Sequence, residues 1–259
     1  MRILPSNNVA KRAAFTLIEI AISLAIIGFA LVAIIGVLPL GLEVQRDNRE
    51  ETVITHDAGL WMDALRNGAR GYDDLTNYVD EIRNYWAYYE STNAPPTRTG
   101  TDVYDRTKGS TYGVNLPDFR LDTGGRIVGL LSMPKLMPNN ITVPFISNHI
   151  VAFVRSVNGP AVEKAPQADA GVQELTFSYR LVPTVVRSPS YDQLTPYAKN
   201  LEGNLSELRL FFRWPLLPNG EAGAARQSYR SLVGGRMIIT NDVGQNLFFF
   251  QPNAFTSVP

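Results

Sequence analysis

Polar and apolar positions divide this chain into two unlike parts. From Ile20 to Leu42 no residue carries a formal charge, and as a helix that run spans roughly 34 Å, enough to cross a bilayer core. After Leu42 the chain turns polar at once, through Glu43, Gln45, Arg46, Asp47, Asn48, Arg49, Glu50 and Glu51, with no helix breaker among them. Ile54, Ala58, Trp61, Leu65 and Gly68 then recur at the spacing of an apolar stripe. The pattern predicts one long rod whose first half suits lipid and whose second half is covered by the chain's own sheet.

Asn67-Gly68-Ala69-Arg70-Gly71 reads as the end of that rod, and Asp73 or Asp74 as the cap of a second helix. Leu75, Val79, Ile82, Trp86 and Tyr89 keep helical spacing, with Tyr78, Tyr85 and Tyr88 around them as packing groups. Ser91 to Tyr112, rich in Thr, Gly, Asp and Pro, reads as a long surface loop. Beyond it come short strand-like segments at Arg126–Ser132, Ile150–Val157, Gln173–Val182, Glu207–Trp214, Gly235–Ile239 and Asn246–Phe250. Glu174 to Arg180 alternates clearly and Leu208 to Trp214 partly, which marks strands with one wet face. Pro218-Asn219-Gly220 and Asn158-Gly159-Pro160 supply turns, so an antiparallel sheet is expected. The fold class is α+β: a long N-terminal helix, membrane-spanning then soluble, packed on an antiparallel β-sheet head. The expected segments are 15–42 for the apolar helix, 43–90 for a soluble helical part and 91–259 for the β-rich head.

Composition removes several function classes. The 259 residues carry 24 basic and 24 acidic side chains, with no basic block to follow a phosphate backbone, so no nucleic-acid partner is expected. There is no cysteine, which excludes disulfides, thiolate metal sites and cysteine nucleophiles. His56 and His149 are the two histidines, without a second histidine or an H-E-x-x-H context. Ser110, Ser132 and Ser147 lack a nucleophile-elbow sequence, and no phosphate-loop motif is present. Glu174 with Glu207, or Asp118 with Asp122, are the carboxylate pairs a hydrolase would need. Oxygen-rich loops at 102–105, 118–122 and 241–246 do not follow the EF-hand pattern for calcium. No catalytic residue, metal site or cofactor is therefore expected, and the chain reads as a non-enzyme.

The N-terminus carries the strongest signal. Glu19 stands within Phe15-Thr16-Leu17-Ile18-Glu19-Ile20, at or just inside one lipid boundary. A charge at the centre of a spanning helix costs about 2.5 to 3.5 kcal/mol, and less at the interface, so such an acid marks a partner or a function. A secretory signal would have a shorter apolar core and a small-residue cleavage site after it, whereas this run leads into Pro39, Gly41 and Glu43. A plain anchor would keep Arg2, Lys11 and Arg12 on the cytoplasmic side. The short leader is the easier end to leave inside, so the bulk of the chain is expected to face outward.

The residues Ala14-Phe15-Thr16-Leu17-Ile18-Glu19 resemble the processing motif of type IV pilins and of the pseudopilins of type II secretion. The family usually carries glycine where this chain has Ala14, another small residue. The resemblance implies that a prepilin peptidase cuts between Ala14 and Phe15, removing a leader of residues 1–14 with its basic Lys11 and Arg12, and methylates the new amine of Phe15. It further implies that Glu19 meets the N-terminal amine of a neighbouring subunit, an assembly role consistent with the cost of leaving either charge alone in a helix bundle. Pilin helices commonly hold a glycine and a proline in the apolar half, as Gly28, Gly36, Pro39 and Gly41 do here. The implied protein is a structural subunit of a pilus-like or pseudopilus filament, held first in the inner membrane with a periplasmic or extracellular head. Its expected partners are the prepilin peptidase, other pilin-like subunits and membrane lipid. At this size a minor subunit is the better match. The main alternative is an uncleaved, single-pass, membrane-anchored extracytoplasmic binding module; an anchored hydrolase relying on His149 or an acidic pair is a third.

Overall fold

Helix α1 (Leu17–Asn67) covers both halves of the predicted rod as one helical element. Its described apolar side chains before residue 45 lie open, whereas Ile54, Asp57, Ala58, Trp61, Ala64 and Leu65 are buried at a spacing of three and four residues. That stripe packs the second half of α1 onto an antiparallel sheet. Gly68 ends the helix at φ +68°, the left-handed conformation that closes many helices and suits a residue without Cβ. The computed structural model describes residues 16–68, 73–137, 144–157, 177–187, 201, 203–217 and 219–256. Two compact units divide the chain, residues 1–51 and 52–259.

The second unit is built on a sheet in the order β2-β1-β6-β7-β8-β9, every neighbour antiparallel. Its strands are β1 (Val79–Tyr89), β2 (Arg98–Tyr104), β6 (Phe145–Arg155), β7 (Ser178–Arg187), β8 (Leu205–Leu216) and β9 (Ala222–Gly234), with the short β5 (Leu136–Met137) beside β6. Ile82, Ala152, Leu181, Leu210 and Phe212 point to the helix side and are fully buried. Two small hairpins complete the head: β3 (Gly109–Thr111) with β4 (Val114–Leu116), and β10 (Arg236–Asp242) with β11 (Gln245–Gln251). The turn between β8 and β9 contains Asn219 and Gly220 as expected; Asn219 Oδ1 accepts from the Glu221 amide at 3.0 Å.

Three expected elements differ. The second helix expected over 73–90 within the 43–90 helical segment is a five-residue 3-10 turn, Asp73–Asn77, followed by strand β1. Leu75, Val79 and Ile82 are buried as the helical spacing required, but beyond the irregularity at Val79 and Glu81 the side chains alternate, and the Ile, Tyr and Trp residues of this segment suit a pleated surface better. The loop expected from Ser91 to Tyr112 contains β2, an edge strand pairing with β1 from Tyr88↔Arg98 to Ile82↔Tyr104. Its threonines and glycine hid it, because an edge strand has little to bury. Arg126–Ser132, expected as a strand, lies largely in helix α2 (Gly124–Leu131), whose N-cap Thr123 accepts from the Arg126 amide at 3.3 Å. A short apolar run fits either element by periodicity.

Helix α2 sits against β11 at a distance that only glycine permits. A Cβ on Gly129 would stand 2.7 Å from Leu247 Cβ and 2.9 Å from Phe249 Cζ. Gly129→Ala is expected to destabilise the head by about 1–3 kcal/mol through overpacking, despite the better helix propensity of alanine. Thermal unfolding of the two proteins side by side checks this.

Candidate functional site

The first turn of α1 holds the one charged side chain between Thr16 and Leu42. Thr16 and Glu19 form a reciprocal cap: Glu19 Oε2 accepts from the Thr16 amide at 2.9 Å and from Thr16 Oγ1 at 2.9 Å, and the Glu19 amide donates to Thr16 Oγ1 at 3.4 Å. This is the Thr-x-x-Glu capping box, which pairs amides that the first turn of a helix leaves free. One turn on, Ser23 Oγ donates to the Glu19 carbonyl at 2.7 Å. The sequence reading singled out Glu19 but missed Thr16, although its spacing three residues before the acid, ahead of an apolar run, was the signal.

Among the described side chains from Leu17 to Val44 the large apolar ones are exposed, from 52% at Ile20 to 86% at Leu17. Among the described residues α1 is the one helix long and apolar enough to cross a membrane by length and composition. Pro39 lies inside it, where its missing amide removes one backbone bond. Ala14, Phe15, Lys11 and Arg12 lie outside the described residues, so the predicted processing site has no geometry here.

Several of the other sequence candidates are engaged in local ion pairs and turns. His56 is exposed on α1 and His149 is exposed on β6, its ring 6.1 Å from that of Tyr85. Its partial withdrawal from solvent, then the charges of Arg180 and Lys135, hold the His149 imidazole below its usual range. Glu207 binds Arg209 and Arg230, which keep its carboxyl below the ordinary value, Arg209 foremost; its suggested partner Glu174 lies outside the described residues. Asp122 pairs with Arg126 at 2.8 Å, and Asp242 with the same arginine at 2.6 Å. Within the oxygen-rich loops, Asp102 accepts from the amides of Tyr112 (2.8 Å) and Gly113 (3.0 Å), and Asp105 Oδ1 from those of Thr107 and Lys108. Among the described residues no three His, Asp or Glu side chains converge on a possible metal position.

A buried polar network ties α1 to the sheet, and no reading of the sequence found it. Trp61 Nε1 donates to the Tyr179 hydroxyl at 2.8 Å, both side chains being fully buried. Asp57, one turn earlier on the stripe, accepts from the Val157 amide at 3.0 Å and bonds the same phenol. The clue was an acid standing between Ile54 and Trp61 on an otherwise apolar face. Comparisons with protein-family models, with curated proteins and with solved structures returned no match.

Proposed function

We propose that this chain is a prepilin-like structural subunit: trimmed between Ala14 and Phe15, N-methylated there, and assembled through α1 into a pilus-like or pseudopilus filament as a minor component. The observation carrying this is the apolar surface from Leu17 to Leu42, open along the helix and interrupted by the single acid Glu19. Lipid covers such a surface before assembly, and like helices cover it afterwards. Removing the leader strips three basic residues and leaves a cationic amine four residues from Glu19, so each protomer would carry both halves of an ion pair. A charge pair of that kind is favoured in a low-dielectric bundle because either member alone is costly. The peptidase sits at the cytoplasmic face of the inner membrane, and the head then faces the periplasm or the outside.

A second reading has its own support. Because Thr16 already satisfies the Glu19 carboxylate, an uncleaved anchor with an extracytoplasmic binding head accounts for the acid without a neighbour. Intact-mass analysis of the chain from its native host separates the two. A mature chain beginning at N-methylated Phe15 is expected; an untouched Met1 in cells that possess a prepilin peptidase supports the anchored module instead.

A further inference from the structure

Strand β9 is the last strand of the large sheet. It pairs with β8 on one side, and among the described residues no backbone–backbone hydrogen bond reaches Ala224 to Leu232 from the other. An open edge of this length is a template for a further strand. On the face turned away from α1 it presents Arg226, Ser228, Arg230 and Leu232, all exposed, while Tyr229 on the opposite face hydrogen-bonds Thr55 of α1 at 3.0 Å.

The register concentrates positive charge beside that edge. Arg226 stands opposite Arg213, and Arg213 opposite Arg180, so three guanidinium groups share one row across strands about 4.8 Å apart. Farther along, Arg230 stands opposite Arg209, and both bind one carboxylate, Glu207. Arg213 Nη2 donates to the Gly223 carbonyl at 3.2 Å, but the Nε groups of Arg180 and Arg213 are buried without an acceptor among the described residues. Among the described residues Glu207 is the one carboxylate that pairs with any of these five arginines, and it takes only Arg209 and Arg230. Like charges set directly opposite one another are destabilising, and added carboxylates relieve them.

We propose that the free edge of β9 receives an acidic β-strand from a different protein, its carboxylates facing Arg226 and Arg230. A second copy of this chain is the wrong occupant. Antiparallel pairing along the whole of β9 centres on Ser228 and sets Arg226 of each copy against Arg230 of the other. The same four-residue spacing suits a strand with acids at i and i+4, which lie on one face. Backbone hydrogen bonds supply affinity, and the arginines choose the partner.

The test uses the full chain in detergent micelles and a fluorescein-labelled peptide, Thr-Glu-Val-Thr-Val-Glu-Thr, followed by fluorescence polarisation. Saturable binding is expected, with slowed amide exchange over residues 224–232. The double variant Arg226→Glu with Arg230→Glu, whose folding is checked by circular dichroism, should weaken binding at least tenfold. Methylating alternate peptide amides should do the same. Equal binding of the methylated peptide would overturn strand addition, and equal binding of a version with lysine for glutamate would overturn the acidic preference. An oligonucleotide bound as tightly through the same arginines would replace the proposed partner with a nucleic acid. No saturable binding would leave the arginines as guards of an edge and end the proposal.

Discussion

Glu19→Ala is expected to abolish incorporation into the proposed filament while leaving membrane insertion intact or easier. Taking one member from a buried ion pair costs about 3–5 kcal/mol, because the other charge is left unpaired in a low dielectric. That corresponds to roughly a hundredfold to several-thousandfold loss in the assembly equilibrium, and an isolated acid in lipid is itself unfavourable. The capping box adds a second way to lose stability, and two further variants separate the causes. Glu19→Gln keeps a side chain that serves at the third position of a capping box but has no charge. Thr16→Val keeps the charge and removes the hydroxyl, at a cost of about 1 kcal/mol to the helix start. If Glu19 acts by pairing, Glu19→Gln matches alanine and Thr16→Val assembles nearly normally. If it acts as a cap, Glu19→Gln assembles and Thr16→Val is impaired. The readout is the amount of chain in sheared or purified filaments relative to the membrane fraction, by immunoblot. Normal filaments from Glu19→Ala would sink the assembly role.

Trp61→Ala is expected to be the most damaging substitution in the head. The side chain is fully buried and joined to Tyr179, and truncating such a residue costs about 3–5 kcal/mol. For a unit of this size each kcal/mol moves the unfolding midpoint by about 2–4 °C, so a drop of roughly 6–20 °C should appear in near-UV circular dichroism of the chain in detergent. Tyr179→Phe tests the polar half of the contact, since it leaves the indole N–H buried without its acceptor, at about 1–3 kcal/mol. Burial, and then the Asp57 charge, push the Tyr179 phenol well above its ordinary value. The folded head therefore holds that proton more tightly than the unfolded chain does. The stabilisation is fully present below about pH 10 and is lost as pH rises beyond it. A midpoint unchanged in Trp61→Ala would mean that the helix and sheet do not depend on this contact.

Long-range amphipathic pattern was the readable part of this chain. The stripe Ile54, Ala58, Trp61 and Leu65 named the buried face of α1, and the alternation at Leu208–Trp214 lies within a strand with one buried face. Local ambiguity defeated the rest. Leu75, Val79, Ile82, Trp86 and Tyr89 satisfy a helical period, yet all but the first lie in β1, paired with β6, and Ile82 and Trp86 pair with β2 as well. Arg126–Ser132 is too short for its period to decide, and its helix depends on contact with β11. Edge strand β2 has few inward positions, and one of them is Asp102, so it reads as a polar loop. At the candidate site, the acid in an apolar run was visible, whereas the Asp57–Tyr179–Trp61 network needed a partner 118 residues away from Trp61 in sequence. Such a pairing leaves no mark on a single local window.

The chain has three tryptophans, Trp61, Trp86 and Trp214, and all lie in the unit from Thr52 onward; the apolar run from Leu17 to Leu42 contains none. Intrinsic fluorescence therefore reports on the head alone, unmixed with the emission of an indole in lipid or detergent. Trp61, sealed from solvent against Tyr179, should emit at the blue end, and peeling the helix from the sheet should shift the spectrum red. That gives an optical gauge of head integrity usable in micelles or in vesicles without a label.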